Sequence, residues 1–156
     1  RRGRLMINES PKLPVATGER VVFRKTVSES DVYGFAGITG DFAPPHIDEV
    51  FMKSTHYGKR VAHGALLVGF MSTASSKLVD RVLEAQPDFT PMSIGYDRIR
   101  FTGPVFMGDT VEVAYEIVEL DPERGRTRAR LTATNQRQET VGVAEHLMKW
   151  LRTDRQ

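Results

Sequence analysis

Apolar positions along the chain follow two different periods, and the change between them divides it into strand and helix regions. Glu19–Val27 alternates, with Val21, Phe23 and Lys25 sharing one face, and predicts a first strand. Ser28-Glu29-Ser30-Asp31 is rich in helix-capping types. Either serine could cap a short helix over Val32–Ala36, which Gly37 and Gly40 end. A second helix is expected at about Asp48–Ser54, where Ile47, Phe51 and Ser54 lie near helical spacing, until Tyr57-Gly58-Lys59-Arg60 breaks it. From Gly64 to Val82 the chain is apolar around almost its whole circumference and rich in small residues. That pattern predicts a core helix wrapped by other elements.

Beyond it the period shortens to two. Pro87–Pro91 reads as a loop. Ser93–Thr102 alternates, with Ile94, Tyr96, Ile99 and Phe101 falling on two faces, which suggests a bulge near Asp97. Gly103-Pro104 and Met107-Gly108-Asp109 punctuate the chain. Thr110–Glu119 alternates cleanly, Asp121–Gly125 turns, Arg126–Asn135 alternates again and Glu139–Leu151 supplies the last strand. Residues 1–18, with Pro11, Pro14 and Gly18, show no period and read as an N-terminal arm; 152–156 read as a tail. The expectation is a single α+β domain over 19–151, an antiparallel sheet wrapped around one long central helix. That arrangement is the hot-dog fold.

Composition narrows the chemistry. The 156 residues are 40% apolar, enough for one ordinary core. With no cysteine, disulfides, thiolate metal sites and a cysteine nucleophile are excluded. A net charge of +2 is too balanced for a dedicated nucleic-acid binder. No apolar run approaches the roughly 20 residues that span a bilayer, and Arg1-Arg2-Gly3-Arg4 is not followed by an apolar segment of signal-peptide length. A cytoplasmic protein without membrane or nucleic-acid partners is the expectation.

The candidate chemistry lies between Gly40 and Gly64. Asp41 and His46 stand five positions apart, and Pro44 and Pro45 limit how far they can drift. Imidazole titrates near neutrality and a carboxylate can orient it or take a proton, so the pair suits acid–base work on water. The plainer alternative has Asp41 bonding amides of its own loop while His46 packs beneath it. Gly64 opens the core helix, where unpaired amides and the helix dipole suit a carbonyl oxygen or an enolate, although close packing alone would also explain a glycine. Ser72 follows about two turns later on the same side of that helix. A metal held by Asp41, His46, His56 and His63 is not expected, because no two are spaced as ligands on one helical turn. His56 and His146 read as surface or packing residues and His63 as shaping the helix start. Arg126, Arg128 and Arg130 share a strand face, by default solvated and paired with glutamates. A weaker alternative has such cations, with Lys53, Lys59 or Arg60, meeting carrier phosphates.

The run Thr39-Gly40-Asp41-Phe42-Ala43-Pro44-Pro45-His46-Ile47-Asp48, followed by Val61-Ala62-His63-Gly64, resembles the MaoC-like, R-specific enoyl-CoA hydratases. Arg100-Phe101-Thr102-Gly103-Pro104-Val105 and Gly108-Asp109-Thr110 match the family's strand-and-turn pattern, and the likeness covers roughly Glu19 to Leu151. The resemblance implies that Asp41 and His46 are the catalytic pair, that the Gly64 N–H binds the thioester carbonyl, and that Ser72 supports the site. It implies reversible hydration of a trans-2-enoyl-CoA to the (R)-3-hydroxyacyl thioester, no cofactor, and a homodimer or larger homo-oligomer. One departure stands out: Ala43 occupies a position usually held by asparagine, and it lacks that side-chain hydrogen bond. Acyl-thioester hydrolysis and a non-catalytic thioester-binding or partner subunit are the alternative roles.

Overall fold

Ser28 starts the helical region as a capping box: its hydroxyl accepts the Asp31 N–H at 3.2 Å while the Asp31 carboxylate accepts the Ser28 N–H at 2.8 Å. The computed structural model describes residues 12–153, so the first part of the expected arm and the end of the tail lie outside the described residues. Strand β1 (Arg20–Thr26) precedes α1 (Glu29–Thr39), two short helical pieces α2 (Pro44–Ile47) and α3 (Glu49–Lys53), and the long α4 (Gly64–Ala85). Four strands follow: β2 (Phe89–Phe101), β3 (Thr110–Asp121), β4 (Arg126–Thr134) and β5 (Thr140–Arg152). They form one sheet in the order β1-β3-β4-β5-β2, every pairing antiparallel. This is the expected α+β arrangement.

Several boundaries differ from expectation for physical reasons. The capping box lets α1 begin before Val32, and it runs on to Thr39 until Gly40 closes it in the left-handed region at φ 81°. Pro44 and Pro45 stand in the first turn of α2, where a missing N–H costs nothing, so they begin a helical turn within what reads as a loop. Pro91 lies inside β2, and the strand begins at Phe89 rather than Ser93. β2 pairs only with β5, and an edge strand tolerates a residue that cannot donate to a second neighbour. The bulge expected near Asp97 is present as a register shift between Asp97 and Arg100, with Arg98 at φ 51°; a second shift separates Ser93 from Gly95.

Helix α4 lies across the sheet and packs chiefly on β1 and β3. Leu67, Phe70, Met71, Ala74, Leu78 and Val82 recur every three or four positions and are buried against Val111, Val113, Ile117, Leu131 and Met148. The helix is not enclosed on every side. Ala65, Gly69, Ser72, Thr73 and Ser76 are exposed, because the sheet covers one flank and these small side chains bring little apolar area needing cover. Gly142 of β5 lets the helix settle close, since a Cβ there would stand 2.6 Å from Leu67 Cδ2. Residues 12–18 form neither helix nor strand, yet Leu13 and Val15 are buried in the same core.

Candidate active site

After Gly40 turns the chain out of α1, local hydrogen bonds hold the next residues. The Asp41 N–H donates to Thr39 Oγ1 at 3.3 Å, and Asp41 Oδ1 accepts the Ala43 N–H at 3.2 Å. Ala43 is the cap position of α2 and offers no side-chain bond, so the Asp41 carboxylate bonds an amide that the helix leaves unpaired. The loop-bonding role and the chemical role of Asp41 therefore coexist: the side chain remains about half exposed. α2 then presents His46 one turn on, its N–H bonded to the Ala43 carbonyl at 3.0 Å.

The strap from Arg60 to Ala62 fixes the imidazole from the other side. His46 Nδ1 lies 2.8 Å from the Val61 carbonyl. A carbonyl only accepts, so Nδ1 carries a hydrogen, and in the neutral ring Nε2 is the nitrogen with the lone pair. The strap is itself tied: the Val61 N–H donates to the Pro45 carbonyl at 3.0 Å and the Ala62 N–H to Val105 at 2.7 Å. Arg60 donates to Glu49 of α3 at 2.9 Å and to Glu29 of α1 at 2.5 Å, clasping the two helices that flank the pair. Those bonds to carboxylates raise its pKa further, and they occupy it within the fold rather than leave it for a phosphate.

His63, the residue before α4, brings the two candidates together. Its Nε2 lies 2.9 Å from the Asp41 carbonyl oxygen and 4.0 Å from Asp41 Oδ2, and its ring stacks on His46 with centroids 3.8 Å apart. One ligand-type atom from each of Asp41, His46 and His63 lies within 4.8 Å of the others. Linear spacing separates these residues and does not show this cluster. It is still poorly shaped for a cation: a metal sits near the plane of each imidazole, and rings stacked at 26° do not aim in-plane lone pairs at one point. His63 Nε2 is also already donating.

Beside the pair opens a cleft of about 380 Å³, lined by His46, His63 and Gly64 together with Leu66, Leu67, Phe70, Val105 and Val141. Gly64 is the first residue of α4, so its N–H has no acceptor within the helix. The glycine also has a packing role: a Cβ there would meet the Phe101 ring at 2.6 Å. Asp41 is not part of the cleft lining but stands within 4.8 Å of His46 and His63, which are.

Ser72 is elsewhere. It is exposed on α4, outside the cleft lining, and its carbonyl accepts the Ser75 hydroxyl at 2.7 Å and the Ser76 hydroxyl at 3.2 Å. Burial raises the Tyr96 phenol pKa while the Ser72 and Ser75 hydroxyls hold it down, so Ser72 faces β2. The arginine face is as expected: Arg128 pairs with Asp97, Glu119 and Glu145, and Arg130 with Glu116. His56 packs on Tyr57 with ring centroids 3.9 Å apart, and His146 is fully buried. The sequence reading missed His63 and Phe101 as site residues. Both lie within the runs that carry the family resemblance, His63 at a cap position and Phe101 at the end of a strand, but neither run by itself shows what their side chains touch.

No helix among the described residues is long and apolar enough to cross a membrane. Comparison with known proteins identifies the family. The family model described as a MaoC-like domain matches residues 12–141. A 3-hydroxybutyryl-CoA dehydratase from Methylorubrum extorquens is 38% identical over 113 residues, 72% of this chain and 67% of that protein. An (R)-specific enoyl-CoA hydratase from Rhodospirillum rubrum is 33% identical over 120 residues, 77% of this chain and 78% of the other. Among solved structures, a monoamine oxidase regulatory protein from Archaeoglobus fulgius superposes with a TM-score of 0.76 at 31% identity, covering 93% of this chain and 97% of its own.

Proposed function

We propose, for a chain that belongs to the MaoC-like domain family, that it is a hydro-lyase adding water reversibly to a trans-2-enoyl-CoA to give the (R)-3-hydroxyacyl thioester. The observation that carries this reading is that an imidazole and a helix-start amide line one largely apolar cleft, with a carboxylate within 4.8 Å of the imidazole. The names of two relatives, a 3-hydroxybutyryl-CoA dehydratase and an (R)-specific enoyl-CoA hydratase, support the substrate class and the stereochemistry.

In the proposed reaction the thioester oxygen accepts the Gly64 N–H, and the acyl chain lies along Leu66, Leu67 and Phe70. A water sits between Asp41 and His46. His46 Nε2, whose lone pair is free because Nδ1 donates to Val61, takes a proton from it as the oxygen bonds C3. The C2–C3 π pair moves to the thioester as an enolate, stabilised by the amide and the helix dipole. The proton on Nε2 then passes to C2 on the same face, so both hydrogens of one water are used and the base is restored. Asp41 orients the water and offsets the imidazolium charge. Ser72 takes no proton-transfer step and supports α4 through its contact with Tyr96.

A second copy of the chain is the expected partner. The edge strand β2 exposes Met92, Ile94 and Phe101, and an unpaired edge of this length needs cover. Product analysis on a short enoyl-CoA tests the reaction. Reversible loss of enoyl absorbance without thiol release supports hydration, whereas free CoA indicates hydrolysis. Saturable binding with neither product indicates a thioester-binding subunit.

A further inference from the structure

A helix-cap residue ordinarily turns its side chain inward to accept an amide of the first turn. His63 holds that position before α4 and makes no such bond. Its side chain, about 1% exposed, turns back to the loop after α1 and puts Nε2 2.9 Å from the Asp41 carbonyl oxygen. Nε2 must therefore carry the hydrogen. Nδ1 is left buried and, among the described residues, has no hydrogen-bond partner. Leucine in the same place would fill space with no orphaned polar atom, so packing alone does not account for an imidazole. The ring's contacts do. It stacks on His46 at 3.8 Å between centroids and packs against Phe35 of α1 at 4.8 Å.

We propose that His63 is a positioning residue for the acid–base pair, its Nε2–H fixing the Asp41 backbone and its face fixing the His46 ring. The inference rests on the hydration reading above. Asp41 follows α1 and His46 lies in α2, so no single element holds both. His63, planted at the start of α4 beside the Gly64 amide, ties the two proton-handling groups to the oxyanion-binding end. Three groups that must meet one small substrate are thus referenced to one ring. A displacement of about 1 Å in such a site costs on the order of 100-fold in rate.

The test compares His63→Leu, which loses both contacts, with His63→Gln, which keeps an amide donor for the Asp41 carbonyl. With an enoyl-CoA substrate, kcat should fall about 100-fold in the leucine variant while KM stays within about twofold, and glutamine should recover roughly tenfold of that loss. The second readout needs no turnover. In long-range proton–nitrogen spectra the wild type should show one His46 tautomer protonated at Nδ1; the leucine variant, its His46 ring no longer held by the stacked face against the Val61 carbonyl, should show a mixture. Leucine-variant kcat within twofold of wild type, equal kcat for the two variants, or an unchanged His46 spectrum overturns the proposal. Should the leucine variant not fold, the glutamine variant decides alone: about tenfold lower kcat supports positioning and wild-type kcat refutes it. If the wild type itself turns over no enoyl thioester, the hydration reading fails. The His46 spectrum then still decides whether His63 positions the pair.

Discussion

Acidification should destabilise this domain through one buried side chain, His146. It is fully buried on β5, with Nδ1 2.9 Å from the Tyr115 hydroxyl, Nε2 2.7 Å from Ser93 Oγ, and the Tyr96 ring stacked at 4.5 Å. Burial pushes its pKa from 6.5 down to about 4. Between those values the unfolded chain binds a proton that the folded chain refuses, so stability is full above about pH 6.5 and is lost as pH falls towards 4. Integrating the proton difference gives a loss of about 2 kcal/mol by pH 5 and about 3 kcal/mol by pH 4. For a chain of this size that corresponds to roughly 4–8 °C in unfolding midpoint at pH 5. The assay is thermal or urea unfolding at pH 7 and pH 5, at one fixed protein concentration, for wild type and His146→Gln. The variant cannot titrate, so its loss between the two pH values should be smaller by about 2 kcal/mol, whatever the other groups contribute. Equal losses in both proteins would refute the reasoning.

Two close approaches provide further tests. Gly64→Ala should push the half-exposed Phe101 ring aside at little cost in stability. It should lower kcat/KM by about tenfold or more, because the amide at the helix start is re-aimed; steady-state kinetics together with unchanged unfolding would show this. Gly142→Ala should act the opposite way. Its Cβ would stand 2.6 Å from Cδ2 of the buried Leu67, so about 1–3 kcal/mol of stability should be lost in urea unfolding.

What sequence reading resolved was short in range. Asp41 and His46 are five residues apart on a segment held by Gly40 and two prolines, and a serine cap before α1 lies within one turn of the helix it starts. Local chemistry suffices for both. His63 was opaque because its bond to Asp41 crosses 22 residues and exists only once α4 has docked. The Phe101 contact with Gly64 is longer still and depends on β2 lying at the sheet edge. Local rules also failed where tertiary position overrode them: Pro91 reads as loop but sits in an edge strand. Alternation along β5 puts His146 on the same side as Ala144, Met148 and Trp150, yet its two hydroxyl partners come from β2 and β3 and cannot be inferred from that strand.

The central claim is that Asp41 and His46 add water to an enoyl thioester. It is tested most directly by following enoyl absorbance of a short trans-2-enoyl-CoA with wild type, Asp41→Asn and His46→Gln, each checked for an unchanged unfolding midpoint. Reversible hydration by the wild type, with kcat lower by about 100-fold or more in each folded variant, is the predicted result. Near-wild-type turnover in both variants would contradict it.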